Sequence, residues 1–177
     1  LVSEWGADLV NFVRQADDLG FFEEKTVIFS LGAAMEVLEG LGEEMPTGLW
    51  AGTRYWWDGP QTDTNTAFVD AYEAAYDRKP SYNAQGAYTG IHMLAAAAEE
   101  AGSTETQGVI EALEGMEFDA PQGPTLIRPE DHQAVVDVTW GRLAEGEDGV
   151  RILDPVQMIP GDEAITPLDE TGCEMDG

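Results

Sequence analysis

Apolar residues recur at helical spacing near the start of the chain, at Leu9, Phe12, Val13 and Ala16, and Gly20 follows them as a stop. The pattern predicts an amphipathic helix with Ser3 as its cap. Beyond FFEEK the period changes. Thr26-Val27-Ile28-Phe29 is β-branched and apolar on consecutive positions, which predicts a short strand covered on both faces. Ser30-Leu31-Gly32 then turns into a second helix through Met35, Leu38 and Leu41, ended by Gly40 or Gly42. Helix, buried strand, turn and helix make a βα pattern of the kind that builds a parallel sheet.

The segment from Gly48 to Trp57 is aromatic and extended, and it ends at the turn Asp58-Gly59-Pro60. Alternation along a strand would put Tyr55 and Trp57 on one face and Trp56 on the other, either in a core or walling a ligand cleft. Three helices follow. The first carries Phe68, Tyr72 and Tyr76. The second carries Ala84, Tyr88, Ile91, Ala95 and Ala98 and stops at Gly102. The third runs through Val109, Ile110 and Leu113 to Gly115, with Thr104 and Gln107 as a capping box. The last third reads as strands, at Thr125-Leu126-Ile127, Ala134 to Trp140 and Val150 to Leu153, before an acidic, apolar-poor tail expected to be mobile.

Charge narrows the classes of partner. The 177 residues hold 35 Asp and Glu against 8 Lys and Arg, a net charge of -27. A field this negative repels nucleic acid and anionic membrane surfaces. With 43% hydrophobic residues, five Trp, five Tyr and six Phe, the chain can still bury a core, so disorder does not explain the charge. An acidic, lysine-poor surface is tolerable where salt screens it, which points to a halophile. No apolar run reaches the roughly 20 residues needed to cross a bilayer, and the opening LVSEWGADLV lacks the basic and apolar regions of a signal peptide, so a water-soluble chain is expected.

Catalytic motifs are missing from this sequence. It has no Gly-x-Ser-x-Gly elbow, Walker loop or dinucleotide fingerprint. Cys173 is the single cysteine, and His92 and His132 lie forty residues apart, so no zinc site, cofactor or metal is called for. Each histidine reads as structural. The stretch from Glu145 to Gly149 departs from calcium-loop spacing and reads as a turn. The loop leaving a parallel strand at its carboxyl end is where α/β folds place ligands, and here it is Ser30-Leu31-Gly32: Ser30 can exchange hydrogen bonds and Gly32 lets the backbone approach. Arg54, one of eight cations, can hold a carboxylate in a bidentate contact or pair with a surface acid.

The order Ala67-Phe68 to Tyr72 and Tyr76, Lys79-Pro80, Ala84 to Tyr88, Leu94 to Ala98 and Ala101-Gly102-Ser103, followed by Phe118, Gly123, Ile127-Arg128 and Asp131-His132-Gln133, resembles periplasmic binding proteins of the branched-chain amino-acid type. The resemblance implies an α/β fold, a type I clamshell of two α/β sandwich lobes, of which this chain is only the C-terminal half. Residues 1–58 would form part of lobe 2 with a hinge strand, 59–132 the helix-rich part of lobe 1, 133–160 the return to lobe 2, and 161–177 an acidic tail.

The same resemblance implies a non-enzymatic, extracellular receptor that captures a small amino acid or amide for an ABC importer. A membrane permease and an ATPase would be its partners, and a missing N-terminal segment its tether. A ligand-sensing receptor or regulatory domain of the same fold is the alternative. The resemblance places the start of the Tyr88 helix at the cleft, so Asn83 and Gln85 join Ser30 and Gly32 as ligand candidates, with Arg54 and Tyr55 near the hinge. For Ser30 and Asn83, helix capping is the competing role.

Overall fold

The computed structural model describes residues 1–173. Along them run α1 (Gly6–Asp18), α2 (Phe21–Glu24), β1 (Ile28–Phe29), α3 (Met35–Leu41), β2 (Trp50–Thr53), α4 (Asp63–Tyr76), α5 (Tyr82–Ala101), α6 (Thr106–Leu113), β3 (Glu117–Ala120), β4 (Gly123–Ile127), β5 (Ala134–Val135), β6 (Val138–Glu145), β7 (Arg151–Ile159), α7 (Gly161–Ala164) and α8 (Leu168–Thr171). The chain divides into two compact units, Leu1–Gly59 with Val138–Met158, and Pro60–Asp137 with the described chain from Ile159.

The first unit is built on a four-stranded sheet in the order β1-β2-β6-β7. β1 and β2 run parallel, with Phe29 opposite Ala51, while β2 and β6 are antiparallel. The sheet is therefore mixed. On the far side of β1, Val2 bridges Phe29 in parallel, donating to Ile28 O at 2.8 Å and accepting from Ser30 N at 3.0 Å. α1 buries Leu9, Val13 and Ala16 and lies against α3, which buries Val37, Leu38 and Leu41. Phe12, Phe21, Phe22 and Phe29 form a chain of ring contacts with centroids 5.8–6.4 Å apart, tying α1 and α2 to β1.

Three expectations fail in this unit. Ser3 does not cap α1, which begins at Gly6 with Trp5 at its N-cap. β1 is not covered on both faces, since Phe29 is fully buried but Ile28 is 39% exposed. The aromatic segment also stops being a strand at Thr53, so Tyr55 and Trp56, expected on opposite faces, are both buried at 2% exposure. The chain bends at Arg54, and beyond a bend the period of two no longer decides which side chains share a face.

The second unit packs α5 on α6 and holds a three-stranded antiparallel meander, β3-β4-β5. Thr62 caps α4 by accepting from Asn65 N at 3.1 Å, and Ser81 caps α5 by accepting from Ala84 N at 3.3 Å. The capping box expected from Thr104 and Gln107 does not form, because α6 starts at Thr106 with Glu105 at its N-cap. The strand expected from Ala134 to Trp140 is broken. β5 ends at Val135 and pairs with β4, and β6 begins at Val138 in the other sheet. Between them Asp137 Oδ1 accepts from Gly161 N at 2.9 Å, and a β-carbon on Gly161 would lie 2.7 Å from the Val136 backbone. At that close approach Gly161 is buried and α7 begins, so the first residues of the acidic segment are helical, while its last four lie outside the described residues.

The face that α5 buries is also not the predicted one. Tyr82, Gln85, Thr89, Met93 and Ala97 are inside, whereas Tyr88 is 38% and Ile91 70% exposed. The helix is small or apolar on nearly every side, so spacing alone favours neither face. Gln85 Nε2 donates to Thr89 Oγ1 at 2.8 Å, which lets this polar pair go inside.

Arginines do much of the tying between segments. Arg151 donates to Met45 O at 2.9 Å and Glu43 O at 2.8 Å, Arg142 to Gly48 O at 3.0 Å, and Arg14 to Gly40 O at 3.2 Å. Five fixed donors suit arginine to backbone oxygens, and such bonds survive salt that screens simple ion pairs.

Candidate functional site

The carboxyl end of the β1–β2 pair collects four of the six sequence-predicted residues. Because the strands are parallel, Ser30 and Gly32 leave β1 on the same edge from which Arg54 and Tyr55 leave β2. The two exits are knitted together. Ala33 N donates to Gly52 O at 3.2 Å, and a β-carbon on Gly52 would come within 2.6 Å of Ser30 O. Gly52 and Trp140, whose ring edge would lie 3.1 Å from that β-carbon, were not singled out from the sequence. A glycine inside a strand pattern signals such close backbone approach.

Ser30 is half-buried, and its Oγ donates to Val2 O at 3.2 Å. It does not cap α3, whose N-cap is Ala34. With the hydroxyl proton directed at Val2, the oxygen keeps its lone pairs for an N–H donor such as an ammonium or an amide. Gly32 is buried for a packing reason, since a β-carbon there would stand 2.4 Å from Phe29 Cβ. Arg54 is exposed at the bend after β2. Tyr55 is buried, its backbone oxygen accepts from Thr53 Oγ1 at 3.1 Å, and burial pushes its phenol well above the ordinary value. It stays neutral at any physiological pH. Ser30 thus offers an acceptor, and Arg54 carries a guanidinium, where two neighbouring parallel strands end.

Asn83 and Gln85 stand on the first turns of α5, in the other unit. Asn83 is exposed and does not cap the helix, that role being taken by Ser81. Gln85 is 2% exposed and bonded to Thr89, so its side chain serves the interior of its own unit. His132 Nε2 lies 2.8 Å from Glu114 Oε1, and His92 stacks on Tyr88 at 4.3 Å between centroids. Arg128 grips Asp131 with two donors, which lowers the carboxyl below its usual range and raises the guanidinium. Glu147–Gly149 is a single 3-10 turn joining β6 to β7.

Residues 1–148 match the profile of a family described as periplasmic binding protein. A Brucella abortus protein named Leu/Ile/Val-binding protein homolog 6 is 31% identical over 95 residues, covering 52% of this chain and 24% of that protein. An amino acid ABC transporter substrate-binding protein from Pseudomonas fluorescens Pf-5 superposes with a TM-score of 0.82 at 23% identity, covering 97% of this chain and 46% of that one. The closed leucine-, isoleucine-, valine-, threonine- and alanine-binding protein of Brucella ovis superposes with a TM-score of 0.77 at 21% identity, covering 93% of this chain and 44% of its own. The chain thus spans less than half the length of these solved relatives, and its alignment covers about a quarter of the Brucella abortus protein.

Proposed function

The chain belongs to the periplasmic binding protein family, and from that premise we propose that it is the C-terminal portion of an extracellular receptor that captures a small amino acid or amide for an ABC importer. Its fold is the type I periplasmic-binding-protein fold, α/β with mixed sheets. The family is one of solute-binding proteins rather than enzymes. The observation that carries the reading is the family match over residues 1–148, which spans both units.

Ser30 and Arg54 supply the polar contacts of the first unit in this reading, the hydroxyl oxygen taking the ligand's ammonium or amide N–H and the guanidinium its carboxylate. Gly32 and Tyr55 shape the edge on which Ser30 and Arg54 stand. The permease and ATPase of the importer are the partners, and the segment preceding this portion carries the tether to the cell surface. A net charge of -27 supports a salt-rich medium for the receptor, in which such charges are screened.

The test is a thermal-shift screen of the full receptor with leucine, isoleucine, valine, threonine, alanine, urea and short amides. A ligand at a hundred times its Kd stabilises by about 2.7 kcal/mol, which is several degrees in Tm. No response from any member of the panel overturns the ligand class.

A further inference from the structure

Among the described residues, the chain passes between the two units at three places, Gly59–Pro60, Asp137–Val138 and Met158–Ile159. On the side of the first unit one sulfur atom fastens these connections together. Thr139 Oγ1, beside the second connection, donates to Met158 Sδ at 3.3 Å. Gly59, at the first, packs so closely on the same atom that a β-carbon there would stand 2.9 Å from Met158 Sδ and 3.5 Å from Val156 Cγ1. Thr139 is 1% exposed, so its hydroxyl depends on protein acceptors, and the thioether is one. On the side of the second unit, Asp137 Oδ1 accepts from Gly161 N at 2.9 Å and ties the second connection to the third. Met158 is half-buried, whereas Met45 and Met93 are buried. Leucine would fill the same space, but a thioether also accepts a hydrogen bond and can be oxidised.

We propose that Met158 is an oxidation site and that its oxidation is a switch: a peroxide converts the thioether to the sulfoxide, and the joint at which the three connections leave the first unit loosens. With hydrogen peroxide, the sulfur attacks one oxygen, the S–O bond forms as the O–O bond breaks, and the other oxygen departs as water. Sulfur is oxidised, the peroxide is reduced, and sulfoxide reductases reverse the change. The product is a polar group whose new oxygen must be placed on an atom already flanked by a hydroxyl and by the backbone of Gly59. Gly59 has no side chain to move aside, and Thr139 is β-branched and enclosed. The sulfoxide therefore swings out toward water, which takes an acceptor from Thr139 and a packing partner from Gly59. One modification thus acts on all three connections.

Hydrogen exchange of the full-length protein in 2 M KCl, read by mass spectrometry before and after treatment with hydrogen peroxide, tests this. Peptide mapping should find Met158 oxidised in the folded protein. Amides of residues 56–59, 138–139 and 157–159 should then exchange about 10-fold faster, as local opening becomes easier, while those of α5 keep their rate. Methionine sulfoxide reductases should restore the slow rate. Met158→Leu should give these segments no response to peroxide. Met158→Gln, which puts a polar group at the joint without an oxidant, should exchange fast from the start. The proposal is overturned by a Met158 left untouched in the folded protein while the unfolded protein is oxidised there, by oxidation of Met158 with exchange unchanged, or by the same peroxide response in Met158→Leu. Slow exchange in Met158→Gln overturns it as well. No readout requires a ligand, so the outcome stands apart from the functional reading.

Discussion

Replacing Gly32 by alanine probes the packing of the candidate edge at its tightest point. A β-carbon at position 32 would stand 2.4 Å from Phe29 Cβ, 3.0 Å from Phe29 Cγ and 3.4 Å from Ala51 Cβ. Carbon atoms pack at about 3.5–4.0 Å, so the nearest contact is short by about 1 Å. The obstacle is itself a β-carbon, which no rotamer change can move, so the turn from Ser30 to Ala33 has to give way. Overpacking of this kind costs about 1–3 kcal/mol. Alanine also stiffens the unfolded chain, which returns about 0.4–1 kcal/mol. The net expectation for Gly32→Ala is a loss of about 1–2 kcal/mol, or a urea midpoint lowered by about 0.5–1 M at a slope of about 2 kcal/mol/M. Urea unfolding at fixed salt, followed by tryptophan fluorescence, measures it. Phe29→Leu keeps the β-carbon and should not rescue the variant. A neutral or stabilised Gly32→Ala, or full rescue by Phe29→Leu, would refute the reasoning.

Salt should stabilise the fold, with Tm rising between 0.1 M and 2 M KCl as the screening length falls from about 10 Å to below about 3 Å; a Tm that stays level or drops contradicts it. Gln85→Ala should cost about 1–3 kcal/mol, since it removes the bond to Thr89 and leaves that hydroxyl short of a buried partner; an unchanged urea midpoint contradicts it. Asp131, lowered chiefly by the hydrogen bonds from Arg128, contributes stability that is present above the unfolded carboxylate value of about 4 and is lost as pH falls through its lower folded value. Wild type should therefore exceed Asp131→Asn at pH 7, and the gap should close between about pH 5 and pH 2. Taking the difference removes the opposing gain from neutralising the other carboxylates, and a gap independent of pH would count against the pairing.

Helices with a clear polar side were legible in the sequence. α1 buries Leu9, Val13 and Ala16 as their spacing predicts, and Gly20, Gly102 and Gly115 adopt positive φ just beyond helix ends. α5 was legible as a helix but not as to its face, because its apolar residues surround it and the polar pair Gln85–Thr89 is satisfied internally. Strand limits were hidden where tertiary contacts set them. Nothing local in Ala134 to Trp140 announces that Gly161 will press on Val136 and send the chain into the other sheet. Two caps were misplaced by one or two residues, since α1 and α6 start from Trp5 and Glu105, whose side chains cap no helix N–H, rather than from Ser3 and Thr104. The order of aromatic, Lys-Pro and Ala-Gly-Ser signals already resembled the family that the match over residues 1–148 establishes. At the candidate site, the carboxyl edge of β1 followed from general α/β topology, whereas the burial of Gln85 and the packing demand on Gly32 depend on partners distant in sequence.

Calorimetric titration of the full receptor with leucine, in 2 M KCl, tests the central claim most directly, with Ser30→Ala and Arg54→Ala titrated in parallel. Saturable binding at one site is expected, weakened by about 1–3 kcal/mol, or about 5- to 150-fold in Kd, in each variant. Absence of heat with leucine, valine, alanine and a short amide alike would contradict the account.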